Sequence, residues 1–324
     1  MGFELACGLT CVWLVAVGLA AATPRQLYGG VAFAALAPVA LGPLTLHRYD
    51  LWAAALCTAG VVFTSGAALG AGTVAKIFPA VVLPLAYLRR RSGGVIVSFV
   101  VALVAIAGAF VVLAPGGVRF SLARQTGRAL QLETLGSSAL LAVHAAPRPT
   151  FGSGSWNLDG ALPDALAALQ TVAQVGAVVL VWILFARTRR GRDEFVLAAA
   201  AAVAAWLTLG KVLSPQFLLW LVPLVALLGS VRVGAALVAA LALTQAVYPD
   251  RYDALVRREG APIALLALRN AILVGIVVAL VVLLHRERVP EEVRAERYGE
   301  DLREPVLLDG GERQRPDGVP RLEP

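Results

Sequence analysis

The sequence predicts an all-α fold, a polytopic transmembrane helical bundle of about ten spans, on three observations. Hydrophobic residues make up 59% of the 324 residues, charged residues only 15%, and the mean hydropathy is +0.77. A soluble globular chain is about half apolar and about a quarter charged, so this composition excludes an ordinary water-soluble enzyme. Uncharged apolar stretches recur along most of the chain, many near the roughly 20 residues that cross a bilayer. Arginines gather in short junctions between those stretches. At this length the spans leave no room for a large soluble catalytic domain.

The first apolar run reaches about Ala22 and lacks the positive leader of a signal peptide, so it reads as a true span. Further spans follow at approximately 30–46, 51–66, 67–88, 95–114, 166–186, 195–210, 214–230, 234–248 and 262–285. Arg89-Arg90-Arg91, the run Arg187 to Arg192, and Arg286 with Arg288 are the densest cationic junctions, which the positive-inside rule assigns to the cytoplasm of a cell-membrane protein. Alternation then puts the corner His47-Arg48-Tyr49-Asp50 in the cytoplasm, and 115–165, 209–216 and 249–261 on the extracytoplasmic side. Arg251, Arg257 and Arg258 in the last of these strain the rule. Beyond the membrane module 1–289, residues 290–324 turn to Glu, Arg, Pro and Gly and predict a disordered cytoplasmic tail.

The net charge is +7, from 28 basic and 21 acidic residues, and only Lys76 and Lys211 among the bases are lysines. With no basic stripe interleaved with aromatics, the expected partners are membrane lipids and not nucleic acid. Cys7, Cys11 and Cys57 lie in apolar runs without a neighbouring histidine, and read as small buried hydrophobes, neither metal ligands nor disulfide partners. No phosphate-binding loop, nucleophile elbow or dinucleotide fingerprint is present, and neither metal nor cofactor is implied.

Ionisable residues within spans are costly and therefore functional candidates. Lys76 precedes Pro79 and Pro84, and Lys211 precedes Ser214, Pro215 and Gln216. Prolines free backbone carbonyls and open polar pockets in a bundle, although a lysine snorkelling from a helix end fits the same pattern. The corner at 47–50 reads as structural, with Arg48 pairing Asp50. From Arg119 to Val143 leucines recur at helical spacing, predicting an interfacial helix that carries Arg124, Arg128 and Gln131 on one face. Its arginines suit a phosphate, or lipid headgroups without specificity. His144 is a candidate base or a solvated loop residue; Asp159 and Asp164 are candidate carboxylates, Asp164 also a natural helix cap. Gly66 and Gly70 form a small-residue step for close helix packing, common by chance in so glycine-rich a chain.

Three stretches resemble glycosyltransferase family 87, membrane mannosyltransferases of the GT-C class with a polyprenyl-phosphate-mannose donor. They are Arg48-Tyr49-Asp50-Leu51 leading to Lys76-Ile77-Phe78-Pro79, Arg128-Ala129-Leu130-Gln131-Leu132-Glu133-Thr134, and Lys211 to Trp220. The resemblance covers roughly 1–285 and implies a GT-C-like bundle whose active site opens on the extracytoplasmic face and passes mannose to a lipid or glycan acceptor. It makes Arg124, Arg128, Gln131, Glu133, Lys211, Ser214 and Gln216 the expected donor-phosphate set, with Lys76 and His144 as outlying members. The family carries its catalytic carboxylate in the first extracytoplasmic loop, followed by a Glu-Tyr-Pro-Pro-like stretch, and neither is matched here. The resemblance thus implies a chain beginning near the family's third span, with the catalytic base unassigned and little transfer by these residues alone. The competing reading is a carrier or flippase for a lipid-linked or amphipathic substrate, with Lys76 and Lys211 lining its route.

Overall fold

The computed structural model describes residues 2–117, 119–120 and 128–288; Arg124 and the tail expected over 290–324 lie outside the described residues. The fold is a helical bundle with a three-stranded antiparallel sheet at one end. Helix α1 spans Gly2–Gly18 and α2 spans Pro24–Leu36. The start of α2 follows from Thr23 and Gln26, which cap each other's backbone amides, with Pro24 supplying a helical φ where no amide is needed. A 3₁₀ turn at Ala37–Leu41 and a short α3, Leu44–His47, lead to α4, Leu51–Phe63.

Residues 66–90 then depart from the single span expected at 67–88. Helix α5, Gly66–Ala75, stops at Lys76, whose backbone is extended (φ −153°, ψ 137°); a 3₁₀ turn, Phe78–Val82, and α6, Leu83–Arg90, run back. The Arg90 guanidinium donates to the Phe63 carbonyl at 3.0 Å, so the segment ends where it began. It is a hairpin within the bundle, broken by a charged residue and by Pro79 and Pro84, which a hydropathy window averages away. Because 66–90 returns to the end it started from, the segments before it lie at the opposite ends of the bundle from those that a single span at 67–88 would give. Through Lys76 and Trp220 the 47–50 corner joins the end that holds the 210–217 loop, and not the end of the arginine junctions beside which alternation put it.

Helix α7, Gly93–Leu113, follows; Gly66 and Gly70 seat directly on its backbone, where a Cβ would lie 1.9 Å from the Val95 carbonyl oxygen and 2.4 Å from that of Phe99. The small-residue step is therefore a real helix crossing. Strand β1 is Leu130–Gln131, α8 is Leu135–Ala142, β2 is Thr150–Gly152 and β3 is Ser155–Leu158. The sheet order is β1-β3-β2, with Gln131 opposite Asn157 and Phe151 opposite Trp156. Ser153 and Gly154, both with positive φ (53° and 79°), close the β2–β3 hairpin in the manner of a two-residue turn. The continuous interfacial helix expected over 119–143 is thus overturned: Gln131 is extended and shares no helical face with Arg128.

Helix α9, Ala161–Ala186, and α10, Arg192–Leu209, form the next hairpin. Residues Ala198 to Ala205 of α10 are all fully buried, marking it as the bundle's central helix. A 3₁₀ turn at Pro215–Trp220, α11 (Val222–Leu228), α12 (Val231–Val247), a short α13 (Tyr252–Val256) and α14 (Gly260–Arg286) complete the chain.

Among the described residues, α7, α9 and α14 are long and apolar enough to cross a membrane; five shorter apolar segments run to 10–17 residues, and the buried α10 has 18 but opens with Arg192, Asp193 and Glu194. Where about ten spans are expected, the described residues form three long apolar helices and a set of shorter or broken ones. Val97, Val101 and Val104 of α7 stand about 60% exposed, an apolar face suited to lipid and unsuited to water. The core divides into a large helical cluster and a smaller one, around Leu130, Leu158 and Leu266, that supports the sheet.

Candidate functional site

The bundle has two chemically different ends. At one, Arg89 lies over the Phe195 ring, Arg90 binds the Phe63 carbonyl, and Thr188 bridges Arg288. At the other, both lysines and the sheet come together, and here three polar groupings can be built up from their elements.

The first grouping is set by the break after α5. Lys76 lies 3.6 Å from the Asp50 carboxylate, which is 2% exposed, and its ammonium sits 5.3 Å from the centre of the Phe217 ring. The Trp220 indole donates to Asp50 at 2.9 Å and is itself stacked between Phe78 and Phe217, at 4.1 Å and 4.2 Å. Asp50 therefore pairs with Lys76 and not with Arg48, which is exposed. A carboxylate this buried requires both partners to offset its lost hydration. The corner keeps its structural reading with a different pair: Asp50 holds Lys76 in place.

The second grouping centres on Gln131. Its backbone amide donates to the Lys211 carbonyl at 3.1 Å, its side-chain oxygen accepts from the Leu213 amide at 3.0 Å, and its side-chain amide donates to the Ser214 hydroxyl at 3.4 Å. Gln131 thus fastens the 211–214 loop to the sheet. The Lys211 side chain is half-buried, and among the described residues its ammonium has no partner. Arg128 stands half-buried just before β1; Gln216 lies in the 3₁₀ turn that follows the loop.

The third grouping anchors that clip to α14. Arg269 and Asn270 both donate to the Glu133 carbonyl, at 2.6 Å and 3.3 Å, and Asn270 also reaches the Thr134 carbonyl and the Ser138 hydroxyl. Thr134 caps α8. Burial pushes the Glu133 carboxyl up to about 7, against the opposing pull of the Arg269 charge and the Tyr252 hydroxyl. Burial and the adjoining Glu133 likewise push the Tyr252 hydroxyl upward. Glu133 is 3% exposed and is surrounded by protein groups.

The other expected residues fall elsewhere. His144 is exposed beyond α8, where its positive φ (57°) ends the helix. Asp159 accepts from the Thr150 hydroxyl, and Asp164 is exposed in the first turn of α9, whose cap is Gly160. Sequence reasoning missed Gln170, which accepts from the Gly136 amide at 2.7 Å and donates to the Gly210 carbonyl at 2.9 Å, and it missed Arg269. Arg269 was detectable as a lone charge in the middle of the 262–285 run; Gln170 carries no such signal. Among the described residues no three metal-ligating side chains cluster.

Residues 2–215, about two thirds of the chain, match glycosyltransferase family 87. The chain belongs to glycosyltransferase family 87. Membership makes this helical bundle a membrane glycosyltransferase, and the match takes in the Asp50, Lys76, Gln131 and Lys211 elements. No curated protein and no solved structure matches the chain. The aromatic stack at Phe217 and Trp220, and the Arg269 anchor, lie beyond the matched range.

Proposed function

We propose that this family-87 protein transfers mannose from a polyprenyl-phosphate donor to a lipid or glycan acceptor at its lysine-bearing end, on the extracytoplasmic face of the cell membrane, with the arginine end and the tail cytoplasmic. The observation that carries this is Lys211: a half-buried ammonium without a partner among the described residues, on a loop that Gln131 fastens through its backbone and its side chain. A preplaced cation is what a departing phosphate needs, because it stabilises charge that develops only as the sugar–phosphate bond breaks. In the transfer the acceptor oxygen bonds to the sugar's anomeric carbon while the electron pair of the breaking bond passes to the phosphate, and the acceptor hydroxyl's proton passes to the released polyprenyl phosphate. Arg128 and Arg124 complete the cationic set, charge-assisted and suited to bidentate contact. Lys76, fixed by Asp50 and Phe217, borders the same loop. Proteoliposomes given polyprenyl-phosphate-linked labelled mannose test this: label appearing in a new glycoside supports the reading, and label that stays on the donor opposes it.

The second reading, lipid transport, draws on the two broken helices with lysines at their breaks, a feature of carriers. The same assay separates them, since a carrier moves the labelled lipid across the bilayer with its sugar–phosphate bond intact.

A further inference from the structure

A cavity of about 440 Å³ lies between α1, the 34–46 segment and α11, within the range of about 300–1,000 Å³ typical of small-molecule sites. Its lining is apolar almost throughout. Leu5, Leu9 and Val39 line it and are themselves 54%, 61% and 71% exposed, so its mouth is framed by side chains that belong in hydrocarbon. Its lining holds one carboxylate, Glu4, 2% exposed. One Glu4 oxygen accepts from the Leu51 amide at 3.2 Å; the other is buried and has no partner among the described residues. The only hydroxyl in the lining, that of Thr45, is already donated to the Pro38 carbonyl at 2.8 Å.

A buried acceptor without a donor is costly, and an occupant that supplies a donor relieves the cost. The occupant must also have an apolar body. A phosphate is disfavoured here, because Glu4 and Asp50, which flank the Leu51 amide, are both acidic. We propose that this cavity binds a long-chain lipid alcohol, with the chain between α1 and the 34–46 segment and the hydroxyl donating to Glu4. Leu51, whose amide Glu4 accepts and which lines the cavity, directly follows Asp50, the residue that holds Lys76, so Glu4 lies at the lysine-bearing end. Resting on the transferase reading above, this makes the occupant the acceptor, a hydroxylated lipid distinct from the phosphate-bearing donor.

The test uses the full protein in nanodiscs and four photoactivatable probes of one chain length: an alkanol, its methyl ether, its phosphate monoester and the alkylamine. No sugar donor is present, so failure here is separable from failure of transfer. The expected result is saturable labelling of α1 and the 34–46 segment by the alkanol, at least fivefold above each of the other probes. In Glu4→Leu the alkanol and ether should label equally, and Gly8→Leu, which fills the cavity, should reduce labelling by both; circular dichroism checks that the variants remain folded. Equal labelling by alkanol and ether in the wild-type protein, preference for the phosphate or the amine, or full labelling in folded Gly8→Leu would each overturn the proposal. The wild-type probe comparison stands even where a variant fails to fold.

Discussion

The two lysine-bearing breaks are built alike and finished differently. In each, a helix stops, a lysine follows, a proline comes three or four residues later, and a 3₁₀ turn leads into a short helix. At the first break the cation is matched by a buried carboxylate and an aromatic face. At the second the backbone is fastened by Gln131 while the ammonium is left unmatched among the described residues. The first lysine is thereby part of the architecture, and the second is available to a ligand. A polar residue inside an apolar run does not announce its role; what surrounds its charged tip decides it.

Asp50→Ala leaves the Lys76 charge and the Trp220 indole without their partner, and a loss of about 3 kcal/mol in unfolding free energy is expected in mixed micelles. A loss below about 1 kcal/mol would mean that Lys76 merely snorkels.

Glu133 belongs to the clip that serves only the second break, and its expected effect is nearly as large. Its carboxyl titrates near 7 when folded against an ordinary value of 4.5. Between those values the unfolded chain binds fewer protons than the folded one, so stability is greatest below pH 4.5 and falls as pH rises through 7. The full fall from this group is on the order of 3 kcal/mol. Glu133→Gln should flatten that portion of the stability–pH curve, measured as the difference from the wild-type protein.

Lys211→Ala should have little effect on the fold, within about 0.5 kcal/mol, yet weaken binding of a polyprenyl phosphate about tenfold. Stability and binding thus trade places between Asp50 and Lys211. Ser214→Ala is the finest probe: its contact with Gln131 is long, 3.4 Å, and a change of at most about 0.5 kcal/mol is expected, because the Gln131 bond to the Leu213 amide remains.

Much of the fold was legible. Apolar length located most helices, and the order of the three motifs pointed to the family that the chain proves to match. The errors share one cause, the averaging of local breaks into longer periodic runs. The 67–88 run hid the reversal at Lys76, and with it the side on which Asp50 lies. Leucines at 130, 132 and 135 mimicked a helix, whereas Leu130 and Leu132 are buried because β1 and its following turn pack on Leu158 and Leu266. The Ser153-Gly154 turn was a readable hairpin signal, but the flanking strands are too short for alternation to appear. Lys211 and Ser214 stood out in the sequence by type and place; that Gln131 fastens their loop depends on contacts 82 and 83 residues away, which no local pattern encodes.

The most direct test of the account is equilibrium binding of a sugar-free polyprenyl phosphate to the reconstituted protein, compared across Lys211→Met, which keeps the apolar stem and removes the charge, and Arg90→Met at the opposite end. The account predicts about a tenfold loss of affinity in Lys211→Met and none in Arg90→Met. Unchanged affinity in Lys211→Met, or an equal loss in Arg90→Met, would contradict it.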